Sequence, residues 1–108
     1  MISIETQKEN GHDLLILRGE VDASNSVMLD QAIQKLLDDG SKSILVDGEG
    51  LEYISSAGLG VFMSYLEDLQ ERDIDLKIYS LTPRVYEVFK ILGLDQLIPI
   101  FPDKNSAF

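Results

Sequence analysis

Cysteine is absent from this chain of 108 residues. Its absence excludes a disulfide scaffold, thiolate zinc sites and thiol catalysis, and it suits a reducing compartment. Histidine occurs once, at His12. It directly follows Asn10-Gly11 and reads as a solvated loop residue, so the serines have no evident base for hydrolase chemistry. Basic side chains are scarce: nine Lys and Arg against nineteen Asp and Glu leave a net charge of −10. A chain this acidic repels phosphate backbones and anionic lipid surfaces, so neither nucleic acid nor membrane is expected as a partner. No stretch approaches the roughly 20 apolar residues of a membrane-spanning helix. The first twenty residues carry Glu5, Lys8, Glu9, Asp13, Arg18 and Glu20 and hold no apolar signal core. A cytoplasmic protein is the expectation.

The chemistry of nucleotides and metals is also thinly provided for. Gly48-Glu49-Gly50 imitates a phosphate loop, but Tyr53 stands where a third glycine belongs and no Lys-Ser or Lys-Thr follows. These glycines read as a turn above a strand. Asp47, Glu49 and Glu52 crowd the same segment with nothing to fix a coordinating geometry. No catalytic residue, cofactor or metal is therefore assigned.

What the chain does have is the composition of a globular protein, 44% hydrophobic and 26% charged. Its length suits one domain. Size scaling gives roughly 17,500 Å² of surface unfolded and about 6,000 Å² folded, enough burial for a core without staples. Two readings of the acidity stay open: a solvated surface that aids solubility, or recognition of a basic protein patch.

Periodicity then orders the elements. Ile2 and Ile4 alternate with polar residues, Asn10-Gly11 marks a hairpin turn, and Leu14-Leu15-Ile16-Leu17 reads as a strand buried on both faces, ended by Gly19. Leu29, Ala32, Ile33, Leu36 and Leu37 recur at helical spacing up to Gly40. Ser43 to Asp47 is a strand, followed by a loop and a second helical pattern, Leu59, Phe62, Met63, Leu66 and Leu69. Asp75 to Tyr79 alternates as a strand. Thr82-Pro83 starts a third helix, with Val85, Phe89 and Leu92 as its apolar face and Gly93 as its stop. Leu97 to Phe101 is a last short strand or a packed segment, and Asp103 to Phe108 a frayed tail. This order predicts an α/β fold: one mixed, mostly parallel sheet opened by an antiparallel hairpin, with helices packed against it.

The most informative stretch is Tyr53-Ile54-Ser55-Ser56-Ala57-Gly58-Leu59-Gly60. Two serines sit where loop becomes helix, and capping accounts for one of them. If Ser55 caps, Ser56 is presented beyond the cap, where the helix dipole and unpaired N–H groups favour an anion. Glycine in a first helical turn costs about 1 kcal/mol against alanine. Gly58 and Gly60 suggest that another backbone approaches there.

The run from Ile44 to Asp47, then Leu51 to Gly60, resembles the signature of STAS domains, and among them the bacterial anti-sigma factor antagonists. Gly19-Glu20-Val21-Asp22 and the ending Leu92-Gly93-Leu94-Asp95-x-Leu97 are similar to further family segments; the likeness spans nearly the whole chain and implies one STAS domain over residues 1–108. The resemblance implies a protein that catalyses nothing and works by partner switching. Unmodified, it binds an anti-sigma factor that is also a serine kinase of histidine-kinase-like ATPase fold, releasing the sigma factor. Phosphorylation at Ser56 breaks the complex, and a manganese- or magnesium-dependent serine phosphatase restores it. The partner surface implied comprises Asp22, Ser55, Ser56, Gly58 and Leu59, on a domain that is monomeric when free. Ser55 stands where many members carry Asp and offers a second hydroxyl, the fallback phosphoacceptor. Asn25 departs from the Thr that often follows the Asp22 segment.

Two other readings compete. A phospho-Asp receiver would use Asp47 at a strand end, but it needs an acidic pair after the first strand, where Glu5-Thr6-Gln7 leads into a hairpin. The second keeps the STAS fold as an accessory or scaffold subunit, of a lipid transporter or signalling complex, without a phospho-switch.

Overall fold

Ile2–Glu9 (β1) and His12–Val21 (β2) pair antiparallel across Asn10-Gly11. Both turn residues hold positive φ, +52° and +82°, the combination a two-residue hairpin turn requires. The computed structural model describes residues 1–108, with an accessible surface of 6015 Å² that matches the size-based expectation. After the hairpin come Ser26–Asp38 (α1), Ser43–Ile54 (β3), Ser56–Glu71 (α2), Asp75–Tyr79 (β4) and Pro83–Ile91 (α3). A 3₁₀ turn at Leu94–Gln96, Ile100–Phe101 (β5) and Lys104–Ala107 (α4) complete the chain. The five strands lie in sequence order, β1 antiparallel to β2 and the rest parallel. The mixed sheet is as expected.

The two faces of β2 explain its unbroken apolar run. Leu15 and Leu17 join the main core with Leu29, Ile33, Phe62, Val85 and Phe89 from α1, α2 and α3. Leu14 and Ile16 point the other way, to Leu45, Tyr79 and Ala107. Tyr65 of α2 ties the helical layer together, donating to Asp30 Oδ1 of α1 at 2.7 Å. Thr82 caps α3 as its sequence suggests, accepting from the Val85 N–H at 3.3 Å.

Several expectations are corrected. Asp103 to Phe108 is not frayed. Asp103 caps α4 by accepting from the Ser106 N–H at 2.8 Å, and Lys104 pairs with Glu9 at 2.8 Å. Ala107 is fully buried, and Phe108 stacks on His12 with ring centroids 5.1 Å apart. The tail folds because the far face of the sheet is apolar at Leu14 and Leu45 and needs a cover. His12 accordingly is no loose loop residue: it begins β2, and its Nδ1 lies 2.7 Å from Ser43 Oγ.

Nor does β3 stop at Asp47. It runs on through Gly48 and Gly50 to Ile54, so these glycines are not a turn, and Asp47, Glu49 and Glu52 lie along a strand. Its neighbours are close there: a Cβ on Gly50 would stand 2.8 Å from Arg18 Cγ. Gly19 likewise lies inside β2 rather than ending it, at φ +94° against the Met1 carbonyl. Met63 and Leu92, assigned to apolar helix faces, are half exposed.

Candidate functional site at the start of the second helix

The ends of β2 and β3 lie side by side, with Val21 in register with Ile54. The Ser55 N–H donates to the Val21 carbonyl at 2.8 Å, and the Leu59 N–H then closes the first helical turn onto the Ser55 carbonyl at 3.0 Å. Gly58 makes this descent possible. A Cβ there would stand 2.7 Å from Ile54 Cγ1 and from Val21 Cγ1. The first turn of α2 thus rests directly on the two strand ends.

The loop leaving β2 is tied in place. Asn25 accepts from the Asp22 N–H at 2.9 Å and donates to the Glu20 carbonyl at 3.0 Å. Asp22 Oδ1 accepts from the Ser24 hydroxyl at 2.6 Å and from the Ser24 N–H at 2.9 Å. These bonds, the hydroxyl first, hold the Asp22 carboxyl below the usual carboxylate range. Asn25 therefore works inward, as the brace of the loop.

The two serines differ sharply. Ser55 occupies the N-cap position with extended backbone, φ −88° and ψ 174°, yet its hydroxyl caps nothing. Ser55 Oγ is buried without a hydrogen-bond partner. Ser56 is exposed at the first helical position. The leading N–H groups of α2 consequently receive no side-chain cap from Ser55. This overturns the expectation that Ser55 serves the cap while leaving Ser56 as the presented hydroxyl.

The STAS family model matches residues 3–107. The chain belongs to the STAS domain family. An anti-sigma-B factor antagonist of Staphylococcus aureus is 29% identical over 99 residues, 92% of this chain and 92% of the relative. An anti-sigma factor antagonist from Mycobacterium paratuberculosis superposes with a TM-score of 0.91 at 22% identity, over 99% of this chain and 91% of the other. The phosphorylated form of the Bacillus cell-fate determinant SpoIIAA gives 0.73 at 18% identity, over 97% and 96%. At these identities the likeness to solved structures is one of fold.

Within this STAS domain, the fold brings Asp22, Ser55 and Ser56 to one end of the sheet. It does not bring Gly58 and Leu59 to the surface. Leu59 is 1% exposed, and Gly58 is buried against Val21 and Ile54. Both were expected at a partner surface; both belong to the interior, because the helix must sit close to the strands. Gly60 is the open glycine, with nothing within 4 Å of a Cβ built there. Apolar side chains that sequence reasoning missed as surface also stand out: Tyr53, Val27, Met28 and Met63, 45–56% exposed. Helical spacing gave no sign of Met63, since it falls on the edge of the apolar stripe. No helix is long and apolar enough to cross a membrane.

Proposed function

We propose that this chain is an anti-sigma factor antagonist controlled by phosphorylation of Ser56. Unmodified, it binds an anti-sigma factor that is also a serine kinase of histidine-kinase-like ATPase fold. Phosphorylation breaks that complex, and a metal-dependent serine phosphatase reverses it. The domain itself performs no catalysis, and ATP and metal belong to its partners. It is a cytoplasmic protein, monomeric when free of its partners.

One observation carries the assignment to Ser56: of two adjacent serines, one hydroxyl is buried and the other exposed at an uncapped helix start. A kinase must reach the hydroxyl it modifies, which favours Ser56. A phosphate there would meet unpaired N–H groups and the positive end of the helix dipole, so the fold can tolerate it. It would also add about −1.5 to −2 charges to a protein already at −10. An interface that excludes water cannot accept that charge without a new partner for it. The name of the Staphylococcus aureus relative supports the antagonist reading.

The test mixes the anti-sigma factor recovered from the protein's own cell extract, ATP and each variant, reading phosphate incorporation and affinity. Phosphorylation should weaken binding at least about tenfold, or about 1.4 kcal/mol. Ser56→Ala should bind tightly and accept no phosphate, and Ser56→Asp should bind weakly yet stay folded. Phosphorylation persisting in Ser56→Ala would move the switch to Ser55. Unchanged affinity after full phosphorylation would remove partner switching and leave an accessory or scaffold role.

A further inference from the structure

The outer edge of β1 is unpaired over eight residues, and its hydrogen-bonding phase is fixed. The Glu20 N–H donates to the Met1 carbonyl at 3.1 Å. With the pairing Ile2 to Gly19 through Glu9 to His12, that bond makes the odd residues of β1 the ones that exchange bonds with β2. Ile2, Ile4, Thr6 and Lys8 therefore direct their N–H and C=O groups out of the sheet. Beneath this edge, between β1 and α1, lie two cavities of about 210 and 360 Å³ that share Thr6, Leu36 and Asp39. The larger is walled by Ile4, Met28, Ala32 and Leu36.

We propose that this edge and groove bind an extended peptide segment as a sixth strand, one that alternates apolar and basic residues. The apolar residues would enter the groove beside Ile4, Met28 and Ala32. The basic residues would lie on the other face, directly across from Glu5 and Glu9. Both carboxylates stand on the edge strand itself. Their cations, Arg18 at 3.3 Å and Lys104 at 2.8 Å, lie inboard on β2 and α4. The lysines of the groove wall are paired in the same way, Lys8 with Asp13 at 2.9 Å and Lys35 with Asp39 at 3.3 Å, so the charges beside the edge balance locally. The net charge of −10 draws a basic segment from a distance. Main-chain bonds to the edge supply affinity, and the alternation supplies selectivity.

A second copy of the chain is a poorer occupant. Pairing two β1 edges about Glu5 sets Glu5 against Glu5, and pairing about Gln7 sets Glu5 against Glu9, like charges that destabilise a cross-strand pair; pairing about Thr6 sets Glu5 against Gln7 and escapes this, and there only the charge of the whole molecules opposes it. Two bodies of charge −10 also repel. The surface uses none of Asp22, Ser55 or Ser56.

The experiment titrates the protein with the peptide acetyl-Lys-Val-Lys-Val-Lys-Val-amide and follows backbone amide signals and their exchange. Binding should shift and protect the amides of Ile2, Ile4, Thr6 and Lys8. Thr6→Pro removes an outward N–H without touching the β1–β2 ladder. Met28→Ser removes an exposed wall of the groove and gives an independent check should the proline disturb the hairpin. Each should weaken binding by about tenfold or more, and a peptide with Glu for Lys should not bind. No binding, or binding that survives both substitutions and vanishes in high salt, would overturn the proposal. So would a dimer seen by light scattering that Thr6→Pro dissociates, because the edge would then belong to a second copy.

Discussion

Gly58 sits on Val21 with no room between them: a Cβ on the glycine would stand 2.7 Å from Val21 Cγ1. The contact joins the start of α2 to the end of β2, and so places the Ser56 hydroxyl beside the loop that Asp22 begins. Substitution here strains the interior rather than a partner interface. Gly58→Ala should destabilise the domain by about 1–3 kcal/mol, the range for an overpacked core. Gly60→Ala, in open space on the same helix, should stabilise it by up to about 1 kcal/mol. Denaturant midpoints separate the two, and equal shifts would show that Gly58 is not held as described.

The two serines, unlike the two glycines, should respond alike. A working N-cap hydroxyl is worth about 0.5–2 kcal/mol, but Ser55 Oγ accepts no bond. Ser55→Ala should leave stability unchanged or raise it slightly, since it removes a buried group without a partner. Ser56→Ala should also be near neutral, because Ser56 is exposed. A loss above about 1 kcal/mol in Ser55→Ala, read from urea unfolding, would restore the hydroxyl to a capping role.

Tyr79 supplies a test in alkaline solution. Burial, and after it the Asp47 carboxylate, pushes its phenol up to about 12. Unfolded, the group titrates near 10. The stability gained by keeping it protonated is therefore complete below pH 10 and disappears as pH rises from 10 to 12. Tyr79→Phe should fold normally and lose less stability over that window than the parent. Tyr65, raised by burial and its bond to Asp30, accounts for a share that remains. Parallel alkaline slopes for the two proteins would contradict this placement of Tyr79.

The C-terminal turn should matter to folding. Deleting residues 103–108 uncovers Leu14 and Leu45 and leaves His12 without Phe108. We expect a loss of about 1–3 kcal/mol, the size of one or two buried side chains. A truncated protein as stable as the parent, by thermal or chemical unfolding, would show that this cover is dispensable.

Much of the architecture is written in local pattern. Asn10-Gly11 sets the hairpin because both residues accept positive φ, and Thr82-Pro83 starts α3 because one supplies a cap and the other a fixed φ. The unbroken run at Leu14 to Leu17 already requires cover on two faces, and the exposed position of Ser56 at a helix start follows from the motif around it. Other features depend on partners distant in sequence. Gly48 and Gly50 read as a turn until β2 pairs with the chain on either side, with Gly50 itself in register with Arg18, and holds it as strand. Asp103 to Phe108 lacks any periodic signal, and folds only because an apolar patch on the far side of the sheet awaits it. Gly58 looked like an opening for a partner, and Ser55 like a cap. Spacing reports which residues share a helix face, but the distance between that face and the strands beneath is a property of packing. That distance drew Gly58 into the interior, buried the Ser55 hydroxyl and left Ser56 alone at the surface.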